Sequence, residues 1–91
     1  MPKQSVRVHI FNQFYTLVAD DEDARSVQEI AQQIDELMAS IANRMGSGDS
    51  TRVAVMACLH LADQLRGAEK KLRTYEDKSA RFGSLLDEAL N

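Results

Sequence analysis

His60 and Asp63 stand three residues apart in a strongly apolar part of the chain. On a helix this spacing places both side chains on one face, where they could bind a metal ion or act as a base and its orienting group. No third ligand or nucleophile accompanies them, so a polar contact inside an interface is the favoured interpretation. Cys58 lacks neighbouring cations that would activate a thiolate and has no second cysteine to pair with, so we expect a buried apolar role. We therefore predict no catalytic residue, bound metal or cofactor.

The segment Gly46-Ser47-Gly48 superficially resembles a phosphate-binding loop, but the lysine and the preceding strand of that motif are absent. We interpret it as a connector between two helices. Arg44 and Arg52 flank this connector, and Arg7 lies on the polar side of a predicted strand. These three side chains either form a basic patch suited to an acidic protein partner or are ordinary scattered surface arginines.

The length and charge of the chain exclude several classes of function. Ninety-one residues form one domain at most, and the formal net charge is −3. Residues 1–48 contain four Lys or Arg against seven Asp or Glu, whereas residues 49–91 contain seven of each. Neither half has the excess positive charge that neutralises a phosphate backbone, so we do not expect a nucleic-acid partner. No stretch of about 18 apolar residues and no apolar signal core occur, so we expect a cytoplasmic protein without a membrane partner.

The first part of the chain is predicted to form a β-hairpin. Residues 6–10 alternate between apolar and polar side chains, and residues 14–18 are a second β-prone run. Asn12 and Gln13 lie between the two runs, which predicts a tight turn at these two positions. Because an isolated hairpin is only marginally stable in water, its apolar face must pack on a helix or across a subunit interface.

An amphipathic helix is predicted next. The acidic residues 20–23 precede it and are expected to cap its amino terminus. Apolar residues then recur at intervals of three and four from Val27 to Ile41, which gives one broad apolar face. Gly46 is expected to end the helix in the left-handed conformation, and Asp49 or Ser50 to cap the following helix.

A helical pattern then continues from about Ser50 to Ala89, interrupted only by Gly67 and Gly83. Its apolar residues alternate at intervals of four and three, which is the signature of helices that wind around one another. The predicted oligomerisation residues on this side of the helix are Leu61, Leu65, Ala68, Leu72, Tyr75, Phe82, Leu85, Leu86 and Ala89. A helix with this pattern is not expected to be stable alone, so we predict an oligomer.

Charges beside these residues indicate how the helices pair. In a parallel pair, Lys71 of one helix faces Glu76 of the other, whereas antiparallel pairing places like charges together. The closest pairing is therefore predicted to be parallel. Leu85 and Leu90 widen the apolar surface beyond what two helices cover, which favours four helices at that end.

These elements predict an α+β fold with two parts. Residues 1–48 form a globular head of β-hairpin and first helix. Residues 49–91 form the long helix, which packs on the head in its first part and serves as a coiled-coil oligomerisation tail beyond it.

The order of three motifs resembles the ZapA family of bacterial cell division proteins over almost the whole chain. They are Ile10-Phe11-Asn12, Ile34-Asp35 and the run from Val55 to Leu65. The run departs from the common family pattern at Cys58, His60 and Gln64, and Asn12 replaces a common turn glycine.

The resemblance implies a cytoplasmic, non-enzymatic protein at the mid-cell division site. Dimeric heads would bind FtsZ, the tubulin-like division GTPase, and tails would join two dimers antiparallel into a tetramer that cross-links FtsZ protofilaments. Arg7, Gln13, Arg44 and Arg52 are the candidate FtsZ-binding residues, and no small-molecule substrate is expected. The alternative is a coiled-coil dimer that acts as a regulatory or nucleic-acid-associated adaptor.

Overall fold

The computed structural model describes the backbone of residues 2–90 and the side chains of residues 2–83. Two strands, β1 (Lys3–Ile10) and β2 (Gln13–Asp20), are followed by two helices, α1 (Ala24–Met45) and α2 (Ser50–Leu90). This order confirms the predicted α+β class with an amino-terminal hairpin and a long final helix. The chain divides into two structural units, Met1–Cys58 and Leu59–Asn91.

The hairpin is antiparallel, and its last pair is Ile10 with Gln13. The two turn residues are therefore Phe11 and Asn12, both with positive φ (48° and 67°), and the predicted turn at Asn12 and Gln13 was wrong by one position. Two positive φ values define the tight turn whose twist matches that of the flanking strands. Asparagine tolerates this conformation well, whereas phenylalanine adopts it only at a cost that surrounding contacts must offset.

The amphipathic character predicted for α1 is confirmed, because its apolar face packs in two clusters. Ala31 is buried against Val6 and Val8 of β1. Farther along the helix, Met38 is buried with Val53 and Ala57 of α2. Val53 has no exposed surface at all, so the first turns of α2 belong to the core of the first unit.

The two ends of α1 differ in how well the sequence predicted them. Gly46 has φ 63° and ψ 29°, and its N–H donates to the carbonyl oxygen of Ala42, as expected for a left-handed helix end. The expected acidic cap does not form. Asp23 occupies the capping position with helical dihedrals and makes no side-chain hydrogen bond, because a capping oxygen reaches the first amides only from an extended backbone.

The start of α2 is capped as predicted. Oδ1 of Asp49 accepts hydrogen bonds from the backbone N–H groups of Thr51 (3.1 Å) and Arg52 (3.5 Å). Cys58, in contrast, is exposed on the single chain, so the expectation of a buried thiol was wrong for an isolated subunit. The reason is its position on the helix: Val53 and Ala57 occupy the side that faces the core.

Candidate protein-binding surfaces

One face of the hairpin points away from α1. Val6 and Val8 pack against Ala31 of α1, and successive residues of a strand point to opposite faces. The alternate residues of β1, from Lys3 to His9, and their cross-strand partners therefore form a second face, which we name the outer hairpin surface. It consists of Lys3, Ser5, Arg7, His9, Phe14, Thr16, Val18 and Asp20.

An aromatic ring organises the centre of the outer hairpin surface. Cζ of Arg7 lies 4.2 Å from the centroid of the Phe14 ring. The imidazole of His9, the direct cross-strand partner of Phe14, lies on the same ring with centroids 4.8 Å apart and planes inclined by 55°. Phe14 nevertheless remains 62% exposed. A guanidinium in such a cation–π contact still has N–H donors to offer, and a carboxylate can accept two of them.

The sequence did not indicate this cluster. Neither His9 nor Phe14 was among the candidate residues. With the predicted turn at Asn12 and Gln13, Phe14 would have been opposite Phe11. Only the observed turn brings His9 and Phe14 together. Had the turn been predicted at Phe11 and Asn12, the sequence would have indicated that His9 and Phe14 are cross-strand partners.

The opposite face of the hairpin, which carries Val6 and Val8, is covered by α1 only in part. α1 packs chiefly on β1, so Tyr15 and Leu17 remain exposed although they share the face of Val6 and Val8. The hydroxyl of Tyr15 donates to Oε1 of Gln13 at 3.1 Å. Gln13, opposite Ile10, therefore lies on a different face of the hairpin from Arg7.

The hairpin turn is anchored to α1 by two of the motifs that were noted in the sequence. The backbone N–H of Phe11 donates to Oδ1 of Asp35 at 2.7 Å. The half-buried side chain of Phe11 packs against the cluster of Met38, Val53 and Ala57. The position of the outer hairpin surface therefore depends on a contact between distant segments of the chain.

The structure does not bring the four candidate FtsZ-binding residues into one hydrogen-bonded or ion-paired group within the described part of the chain. Arg44 lies in the last turn of α1, where a cation interacts favourably with the helix dipole. Arg52 lies 4.0 Å from the Asp49 carboxylate. Arg7 and Gln13 occupy opposite faces of the hairpin.

The second unit is helical and exposed in the part whose side chains the structure describes. Every residue from Leu59 to Phe82 is exposed in the single chain. The predicted oligomerisation residues form what we name the apolar stripe of α2. Its large described residues beyond Leu61 are between 57 and 70% exposed, and they are Leu65, Leu72, Tyr75 and Phe82. The side chains of Leu85, Leu86 and Ala89 lie outside the described residues. A helical stripe with this much uncovered apolar area is typical of a surface that associates with another protein chain.

His60 and Asp63 are exposed on α2. Among the described residues, no group of three or more potential metal-binding side chains lies close together. No helix in the part of the chain that the structure describes is long and apolar enough to cross a lipid bilayer.

The hairpin of the first unit has two exposed faces, and the helix of the second unit has an exposed apolar stripe. These features define a protein of the protein-interaction class. The family model described as Cell division protein ZapA matches residues 6–90. The chain therefore belongs to the ZapA family, a non-enzymatic family of cell division proteins associated with the FtsZ ring. Searches among curated proteins and among solved structures gave no match.

Proposed function

We propose that this protein binds FtsZ and cross-links or bundles its protofilaments, as a cytoplasmic homotetramer at the mid-cell division site. The observation that carries the proposal is the apolar stripe of α2, which is uncovered from Leu61 to Phe82 in the single chain. Family membership supports FtsZ as the partner.

The exposed area of the single chain supports self-association. Leu65, Leu72, Tyr75 and Phe82 on α2 are between 57 and 70% exposed. Covering apolar side chains contributes about 25 cal/mol for each Å² removed from water. Association of α2 helices therefore supplies stabilisation that the isolated subunit lacks.

Two sets of α2 residues have separate roles in this proposal. Val53 and Ala57 pack on the Met38 side of α1, which supports a head-packing role for the first part of the helix. Residues of the apolar stripe pair two copies in parallel, with Lys71 of one helix beside Glu76 of the other. Leu85, Leu86 and Ala89 extend the stripe toward contacts between two dimers, which the family resemblance implies are antiparallel.

Bivalency explains how such an assembly acts on a filament. Once one head is bound, a second head in the same assembly meets FtsZ at a high effective concentration. Weak contacts by individual heads then become strong attachment to a polymer. Loss of the assembly is therefore expected to abolish bundling more completely than binding.

The proposal is tested with Leu72→Glu combined with Phe82→Glu, which places carboxylates in the apolar stripe. Burying these charges without partners is strongly unfavourable, so we expect the assembly to dissociate and FtsZ bundling to be lost. Sedimentation across a concentration series measures assembly, and light scattering with co-sedimentation measures bundling and binding. Ala80→Glu, on an exposed position outside the stripe, is the matched control and is expected to bundle FtsZ normally.

A variant that is verified to be dissociated and still bundles FtsZ as the wild type does would contradict the cross-linking mechanism. Absence of FtsZ binding by the wild-type protein would contradict the choice of partner. Salt-dependent binding of DNA at micromolar protein would instead favour the nucleic-acid-associated adaptor.

A further inference from the structure

The outer hairpin surface has the opposite charge to the chain as a whole. The chain carries a net charge of −3, but this surface contains the cations Lys3 and Arg7, and its one carboxylate, Asp20, is directly opposite Lys3. Among the described residues, Arg7 makes no ion pair. Its guanidinium is instead positioned by the Phe14 ring, so its hydrogen-bond donors are available to a carboxylate from another molecule.

Apolar groups lie directly beside this cation. Phe14 is 62% exposed and Val18, on the same face, is 69% exposed. An exposed aromatic side chain next to an arginine is the kind of pair that dominates the binding energy of protein interfaces. The fitting ligand therefore combines a carboxylate with an adjacent apolar side chain.

A second copy of this chain is a poorer occupant of the same surface. In a two-fold interface each face meets its own copy, which here would bring two Arg7 guanidinium groups and two Lys3 ammonium groups toward one another. The apolar stripe of α2 carries no such penalty. Charge complementarity therefore favours an acidic partner for the outer hairpin surface.

Arg7 is also better placed for this role than the two arginines beside the connector. Arg52 is within 4.0 Å of the Asp49 carboxylate. Arg44 lies at the carboxyl-terminal end of α1, where its charge is favoured by the helix dipole. Neither has an aromatic ring positioning it among the described contacts.

We propose that the outer hairpin surface, centred on Arg7 and Phe14, is the contact surface for FtsZ and binds an acidic segment that carries an adjacent apolar side chain. This inference rests on the proposed function, because FtsZ is the partner there. It selects Arg7 among the four candidate residues and adds Phe14 and His9, which were not predicted.

The test is co-sedimentation of the full chain with assembled FtsZ over a range of protein concentrations. We expect Phe14→Ala and Arg7→Glu each to weaken binding roughly tenfold, and Phe14→Tyr, which keeps the ring, to bind within about twofold of wild type. Arg25→Glu makes the same charge change on α1, at a side chain that is 92% exposed, and is expected to bind normally.

The outcomes separate a failure of the proposed binding surface from a failure of the proposed function. Wild-type binding that is unchanged in Phe14→Ala and Arg7→Glu overturns the proposed surface and leaves FtsZ as the partner. No binding by the wild-type protein overturns the proposed function itself. Circular dichroism and sedimentation check that the variants are folded and assembled. If Phe14→Ala fails that check, Arg7→Gln, which removes charge from an exposed side chain, decides the question in its place.

Discussion

The backbone N–H of Phe11 and the carboxylate of Asp35 are joined by a 2.7 Å hydrogen bond across 24 residues of sequence. Phe11 has a left-handed backbone, with φ 48°, which is unfavourable for a residue with a bulky side chain. A charge-assisted hydrogen bond and the packing of the Phe11 ring offset that cost. The turn conformation is therefore determined by α1 as well as by the turn residues.

Removing the Asp35 carboxylate is expected to destabilise the first unit, Met1–Cys58. Asp35→Ala leaves the half-buried N–H of Phe11 without its acceptor, which costs about 1–3 kcal/mol in the free energy of unfolding. Chemical denaturation at fixed protein concentration measures the change, since association also affects apparent stability. Glu36→Ala is the control, because Oε1 of Glu36 accepts an exposed hydrogen bond from Nε2 of Gln32. Equal stability of the two variants would show that the Asp35 contact does not anchor the turn.

The two glycines of the connector are expected to respond differently to alanine. Gly46→Ala places a Cβ on a residue with φ 63° and is expected to cost roughly 1 kcal/mol. Gly48 has no positive φ and no atom within 4 Å of an added Cβ. Gly48→Ala is therefore expected to leave the midpoint of thermal unfolding unchanged or slightly raised. A loss of stability only in Gly48→Ala would contradict the observed helix end.

Cys58 offers a direct measure of helix orientation in the assembly. It lies one heptad before Leu65, so parallel pairing in register would place the Cys58 side chains of two subunits next to each other. We therefore expect a short bismaleimide to crosslink two subunits in high yield. Gel electrophoresis under reducing conditions detects the product, and Cys58→Ser is the control. Assembled protein that resists crosslinking would contradict parallel pairing at this position.

Local patterns were sufficient to predict the elements. Alternating residues in 6–10, the regular spacing from Val27 to Ile41 and the long pattern after Ser50 each predicted an element that the structure contains. The left-handed Gly46 and the Asp49 cap were predicted as well. All these features depend on residues a few positions apart, whose preferences are expressed within a single strand or helix turn.

The sequence by itself determined the order of strands and helices and the apolar stripe of α2. Tertiary structure decided that Phe11 and Asn12 form the turn, that Phe14 positions Arg7 and that Cys58 is exposed on one chain. These depend on strand register and on which helix side meets the core. Both are set by contacts between residues far apart in sequence, such as the Asp35 carboxylate with the Phe11 amide, which no local pattern records.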